Sequence, residues 1–121
     1  MKTITYNIGV EATIDVIGGK WKPIILCHLK HGTKRTSELK RLMPSITQKM
    51  LTQQLRELEA DGVVTRIVYE QVPPKVEYSL SNYGQSLAPV LELLCLWGEK
   101  HIEQRVSLYQ EDIVLENTEL T

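Results

Sequence analysis

Two closely spaced amphipathic helical segments, an alternating pair of β-segments behind them, and apolar helical stripes near both ends of the chain predict the fold class. It is mainly α with a small β-hairpin: a winged helix-turn-helix with N- and C-terminal dimerisation helices. The 121 residues suffice for one domain with one core. We expect that domain, with its flanking helices, over residues 1–109 and an acidic, frayed tail over 110–121.

The first helix is expected over residues 8–17, where Val10, Ile14 and Ile17 keep helical spacing and Gly18-Gly19 ends the run. The second is expected over about 20–31, with Trp21, Ile25 and Leu29 on one side. Pro23 falls in its first turn, where a missing N–H breaks no intrahelical bond, and His31-Gly32 closes it. Thr36 or Ser37 caps a third helix that turns Leu39, Leu42 and Met43 inward and Lys40 and Arg41 outward, and Pro44 stops it.

The fourth helix lies in "SITQKMLTQQLRELEADGVV", residues 45–64. Leu51, Leu55 and Leu58 form its buried stripe, while Lys49, Gln53, Arg56 and Ala60 face the other way with Thr52 at their edge. Thr47 is the expected N-cap, with Ile46 and Leu51 as a hydrophobic staple; Ser45-x-x-Gln48 is a competing capping box. Gly62 ends the helix. Residues 63–70 are rich in β-branched side chains, and in 75–80 Val76, Tyr78 and Leu80 alternate with Lys75, Glu77 and Ser79. The stiff loop Gln71-Val72-Pro73-Pro74 joins them, making a wing. Ser81 is expected to cap a long final helix, kinked at Pro89, with Leu87, Val90, Leu91, Leu94 and Trp97 on a broad apolar face.

Charge is unevenly spread. The net charge is -1, yet residues 20–56 hold nine bases and one acid, Glu38, whereas residues 92–121 hold seven acids and two bases. Such a chain can present a positive face despite its near-neutral total. A helix about 10–12 Å wide fits the major groove of B-form DNA. Gln pairs with adenine, Arg and Lys with guanine, and a Thr methyl touches the thymine methyl. Thr47, Gln48, Lys49, Thr52, Gln53 and Arg56 are therefore the expected reading positions. Lys34, Arg35 and Ser37 are placed for phosphate contact, and Lys75 at the wing for phosphate or the minor groove, with Arg66 a weaker candidate.

Other chemistries find little support. No apolar run approaches the roughly 20 residues of a membrane-spanning helix, and the N-terminus lacks the apolar stretch of a signal peptide. There is no Gly-rich phosphate loop, no nucleophile at motif spacing from a base, and no metal-ligand spacing; His28 and His31 stand without a CxxC or a carboxylate–histidine cluster. We expect no enzyme, no cofactor and no metal. Cys27 and Cys95 make no disulfide framework; both are read as small core hydrophobes in a reduced, cytoplasmic setting.

The segments "IDVIGGKWKPIIL", "RTSELKRLMPSITQKMLTQQLRELEADGVV" and "VPPKVEYSLSNYGQSLAPVLELLCLWGEKH" resemble the HxlR-type transcriptional regulators, a branch related to the MarR-like winged-helix proteins. The resemblance covers about residues 11–101. It implies a cytoplasmic bacterial homodimer that binds operator DNA and represses or activates nearby genes. It also supports the six reading positions and implies that the first and last helices form the dimer interface. The residues expected there are Ile8, Val10, Ile14, Leu87, Leu91, Leu94, Trp97 and Ile102.

One departure stands out. Many members carry Cys-Pro-Val where this chain has Ile8-Gly9-Val10, so oxidant sensing by that thiol does not carry over. Two physical arguments also favour a dimer: the last helix has more apolar surface than a small domain covers, and two reading helices about 34–36 Å apart read a palindrome. The competing class is a winged-helix module that binds protein, with the basic block incidental. No residue set singles out a small-molecule effector.

Overall fold

A computed structural model of the protein describes residues 1–116. The chain runs α1 (Gly9–Ile17), α2 (Trp21–Lys30), β1 (Lys34–Arg35), α3 (Thr36–Leu42), α4 (Gln48–Ala60), β2 (Val64–Tyr69), β3 (Lys75–Leu80), a 3-10 turn (Gly84–Leu87) and α5 (Ala88–Tyr109). This is a mainly helical winged helix-turn-helix.

The core is where the helical stripes meet the root of the wing. Ile25, Leu26 and Leu29 of α2, Leu39 of α3, and Leu51, Leu55 and Leu58 of α4 pack with Val63, Val64, Tyr78, Leu80 and Leu91. Burying each such side chain stabilises by about 1.5–3 kcal/mol. The α4 stripe is as expected. Thr47 caps that helix, its hydroxyl oxygen accepting from the Met50 N–H at 3.1 Å. Ile46 and Leu51 are both buried, and Gly62 takes φ +80° just past the helix end.

The wing is antiparallel, with Val64 opposite Leu80 and Tyr69 opposite Lys75. Its alternation holds: Tyr78 and Leu80 are buried and Val76 packs against the core. In β2 only Val64 is buried, so the outer part of the hairpin projects into solvent.

The sheet is larger than the expected hairpin, and four further expectations need correction. The hairpin is part of a three-stranded sheet of order β1-β3-β2, because Lys34 and Arg35 pair with Tyr78 and Glu77. Neither Thr36 nor Ser37 caps α3; Arg35 is the N-cap, and its N–H donates to the Glu38 carboxylate at 3.0 Å. Leu42 is 43% exposed, because the core face of the short α3 is filled by Leu39 and, just after it, Met43. Finally, Ser81 does not cap the last helix. Its hydroxyl donates to the Gly62 carbonyl at 2.6 Å and accepts from the Gly84 N–H at 2.9 Å, which shapes the 3-10 turn instead. The helix proper begins at Ala88, so Pro89 sits in its first turn, where no hydrogen bond is lost and no kink is needed.

Gly84 has a steric reason to be glycine. A Cβ there would lie 2.0 Å from the Val63 carbonyl oxygen, so only the bare backbone fits against the end of the wing root.

Candidate nucleic-acid interface

The face of α4 expected to read DNA is fixed from behind. Leu51, Leu55 and Leu58 are fully buried, which turns Gln48, Lys49, Gln53 and Arg56 outward with Thr52 at the boundary. Gln48, Lys49, Thr52, Gln53 and Arg56 line one shallow, open depression, and Glu57 closes its far end. Thr47 is exposed at the near end; its oxygen already serves as the cap, but the hydroxyl proton is free to donate outward.

Within this face, Gln48 Nε2 lies 3.4 Å from Thr52 Oγ1, one helical turn away. No described residue forms an ion pair with Lys49 or Arg56. Glu57 is different. Lys22 of α2 sits 3.1 Å from its carboxylate, and Gln54 Nε2 donates to it at 3.3 Å. The acid bordering the depression is thereby paired, and α2 is tied to α4. Sequence reasoning missed this role for Lys22; nothing local marks it, because its partner is a whole helix away.

The expected phosphate contacts lie together at the β1–α3 junction. Arg35 and Ser37 are exposed there. Lys34 is half-buried, with its Nζ 3.4 Å from the Gly32 carbonyl oxygen. Lys75 stands apart, on the wing. Its ammonium lies 4.8 Å from the centre of the Tyr69 ring and 3.8 Å from Glu77. The same carboxylate accepts from the Tyr69 hydroxyl and raises its pKa. Lys75 is thus partly satisfied within its own strand pair, unlike Lys49 and Arg56. Arg66 is exposed opposite Tyr78.

The expected dimer residues divide into two groups. Ile8, Val10 and Ile14 of the α1 region, and Leu94 and Trp97 of α5, are exposed. Leu91 is corrected: it is fully buried in the protomer's own core and has no surface for a second copy. Leu87 packs against that core and Ile102 is half-buried. At 100° per residue, Leu91, Cys95 and Ile102 share the inward side of α5, while Leu93 and Trp97 point away. Leu93, at 66% exposure, was missed; Trp97 is 70% exposed. Separating the two apolar sides of α5 in sequence would have found it.

Residues 110–116 leave α5 through a left-handed Gln110. Arg105 then holds Glu111 by two hydrogen bonds of 2.6 and 2.9 Å. The remainder of the expected acidic tail, 117–121, lies outside the described residues. Among the described residues no helix is long and apolar enough to cross a membrane, and no cluster of His, Cys, Asp or Glu could hold a metal ion.

A helix-turn-helix whose second helix shows a cationic, amide-rich face, backed by a projecting wing, defines a winged-helix transcriptional regulator. Comparison with known proteins is more specific: the profile of HxlR-like helix-turn-helix proteins matches residues 16–106, and the chain belongs to that family. It is 73% identical over 104 residues to the "Uncharacterized HTH-type transcriptional regulator YtcD" of Bacillus subtilis (strain 168), spanning 86% of this chain and 82% of that one. It is 56% identical to YkvN of the same organism over 109 residues, 90% of this chain and 92% of the relative. Among solved structures, the redox regulator HypR in its reduced form superposes with a TM-score of 0.77 at 57% identity, over 81% of this chain and 97% of that one. The family and these relatives are transcriptional regulators, not enzymes.

Proposed function

We propose that two copies of the chain associate through the α1 region and α5, and that this dimer binds a palindromic operator in double-stranded DNA. Each α4 enters a major groove, and each wing, about residues 71–75, lies on the backbone or in the minor groove. In this reading Gln48, Lys49, Thr52, Gln53 and Arg56 choose the sequence. Thr47 belongs to the same reading set, at the start of the helix, while Lys34, Arg35, Ser37 and Lys75 set register and affinity through phosphate or, for Lys75, the minor groove. The regulator acts as a repressor or an activator according to where its operator lies, and residues 1–109 form the working unit.

The observation that carries the reading is the polar face of α4, held outward by three fully buried leucines. The dimer rests on the exposed apolar ridge of α5 and on α1, which buries only Ile17 in its own protomer. A nine-residue helix is too short to be stable on its own, so α1 needs a second surface.

The test is selection of bound duplexes from a random pool, followed by salt titration on the winner. The expected result is a two-fold symmetric site whose half-sites are about 10 base pairs apart, with binding that weakens steeply as salt rises. Enrichment of no sequence, with no salt-sensitive duplex binding, would instead make the fold a protein-binding module.

A further inference from the structure

Cys27 of α2 and Cys95 of α5 are 68 positions apart in the chain, yet their sulfurs lie 3.9 Å apart. Both thiols are free and half-buried. They line the wall of an open cavity of about 560 Å³ between α2, α5 and the segment after α5, where Ile24, Leu94 and Leu115 supply apolar surface. We propose that Cys27 and Cys95 form a redox site that closes to an intramolecular disulfide joining α2 to α5.

Three features of the geometry support it. The sulfurs are close to van der Waals contact across the α2–α5 junction, and a disulfide brings them to about 2.05 Å. The cavity opens to solvent and gives a small oxidant a path to both sulfurs. Cys95 also lies on the side of α5 turned toward α2, away from Leu93 and Trp97.

With a peroxide as oxidant the chemistry balances in two steps. The Cys95 thiolate attacks one peroxide oxygen, the O–O bond breaks, and the departing hydroxide takes up a proton to become water; Cys95 is then a sulfenic acid. The Cys27 sulfur next attacks the Cys95 sulfur, the S–O bond breaks, and the hydroxyl leaves as water with the Cys27 proton. Two thiols lose two electrons, one peroxide gains them, and two waters form. Burial, with Cys95 beside it, pushes the Cys27 thiol up to about 11, so Cys27 rests protonated and gives up its proton only as the S–S bond forms. A dithiol reductant reverses the bond by exchange.

The ring so closed contains the helix-turn-helix and the wing. Because α2 also carries the Lys22–Glu57 pair, the bond couples the helix behind the reading face to α5.

The test uses the full-length reduced protein, treated with excess hydrogen peroxide and then with N-ethylmaleimide. Intact mass and a non-reducing peptide map are read. The expected product has lost two hydrogens, takes up no maleimide, and yields one linked peptide pair containing Cys27 and Cys95; dithiothreitol restores both thiols. In Cys27→Ser and Cys95→Ser the linked pair is absent. Two maleimides on the peroxide-treated wild type, separate sulfinic acids, or disulfide-linked dimers in place of the internal bond would each overturn the proposal.

Discussion

Helices α4 and α5 are both rich in leucine, yet they use it in opposite ways. In α4 the leucines keep one stripe, and all three are sealed inside the protomer. In α5 the apolar residues run around the helix: Leu91 is sealed in, while Leu93, Leu94, Leu96 and Trp97 stay exposed. The first pattern is closed by its own chain and leaves a polar face free for a ligand. The second is left open on one side, which is the signature of a helix meant to be covered by something else. The contrast teaches that hydrophobic content alone assigns no role; its angular distribution does.

The comparison is broken most severely from inside α4. Leu55→Ala removes a fully buried side chain and is expected to cost about 2–5 kcal/mol, measured by denaturant unfolding. A cost near zero would mean the stripe is not what holds the reading face outward. Next is Leu93→Asp on α5. The proposed dimer should dissociate in analytical ultracentrifugation, a loss of about 2 kcal/mol or more, while circular dichroism stays unchanged because the residue faces solvent in the protomer. An unchanged dimer would move the interface elsewhere.

Smaller effects sharpen the polar side. Arg56→Ala should cost about 1–3 kcal/mol and relax base preference, whereas Lys75→Ala should weaken all duplexes alike and lower the salt slope. Since Tyr69 and Glu77 already engage Lys75, its loss should be the milder of the two. Thr47→Ala removes the α4 cap and should cost about 1 kcal/mol of stability. The last effect is a slope in pH. His28 is buried, and burial, with Lys34 and His31 nearby, lowers its pKa below the ordinary histidine value of 6.5. The unfolded chain therefore binds the proton more readily, so stability is full above 6.5 and falls as pH drops below it toward the lowered pKa. His28→Gln should flatten that part of the stability–pH curve.

Much of this architecture could be read from the sequence, for local reasons. Thr47, Ile46, Leu51 and Gly62 mark the ends of α4 by chemistry that acts within a turn. The alternation around Tyr78 gave the wing its inward face because a strand has a period of two. What could not be read depends on partners distant in sequence. A two-residue strand at Lys34 has no periodicity to detect and exists only because β3 is beside it. Pro89 could either kink a helix or start one, and the choice was made by Ser81 and Gly84 shaping the turn before it. The polar face of α4 was visible from its period, but the Lys22–Glu57 pair and the Cys27–Cys95 approach belong to the packing of whole helices.

The hydroxyl of Ser81 touches the exit of α4 through the Gly62 carbonyl and the approach to α5 through the Gly84 amide, while its own N–H holds the Val63 carbonyl at the wing root. Three elements are thus moored at one post. A displacement of this serine therefore strains the exit of α4, the wing root and the turn before α5 at once.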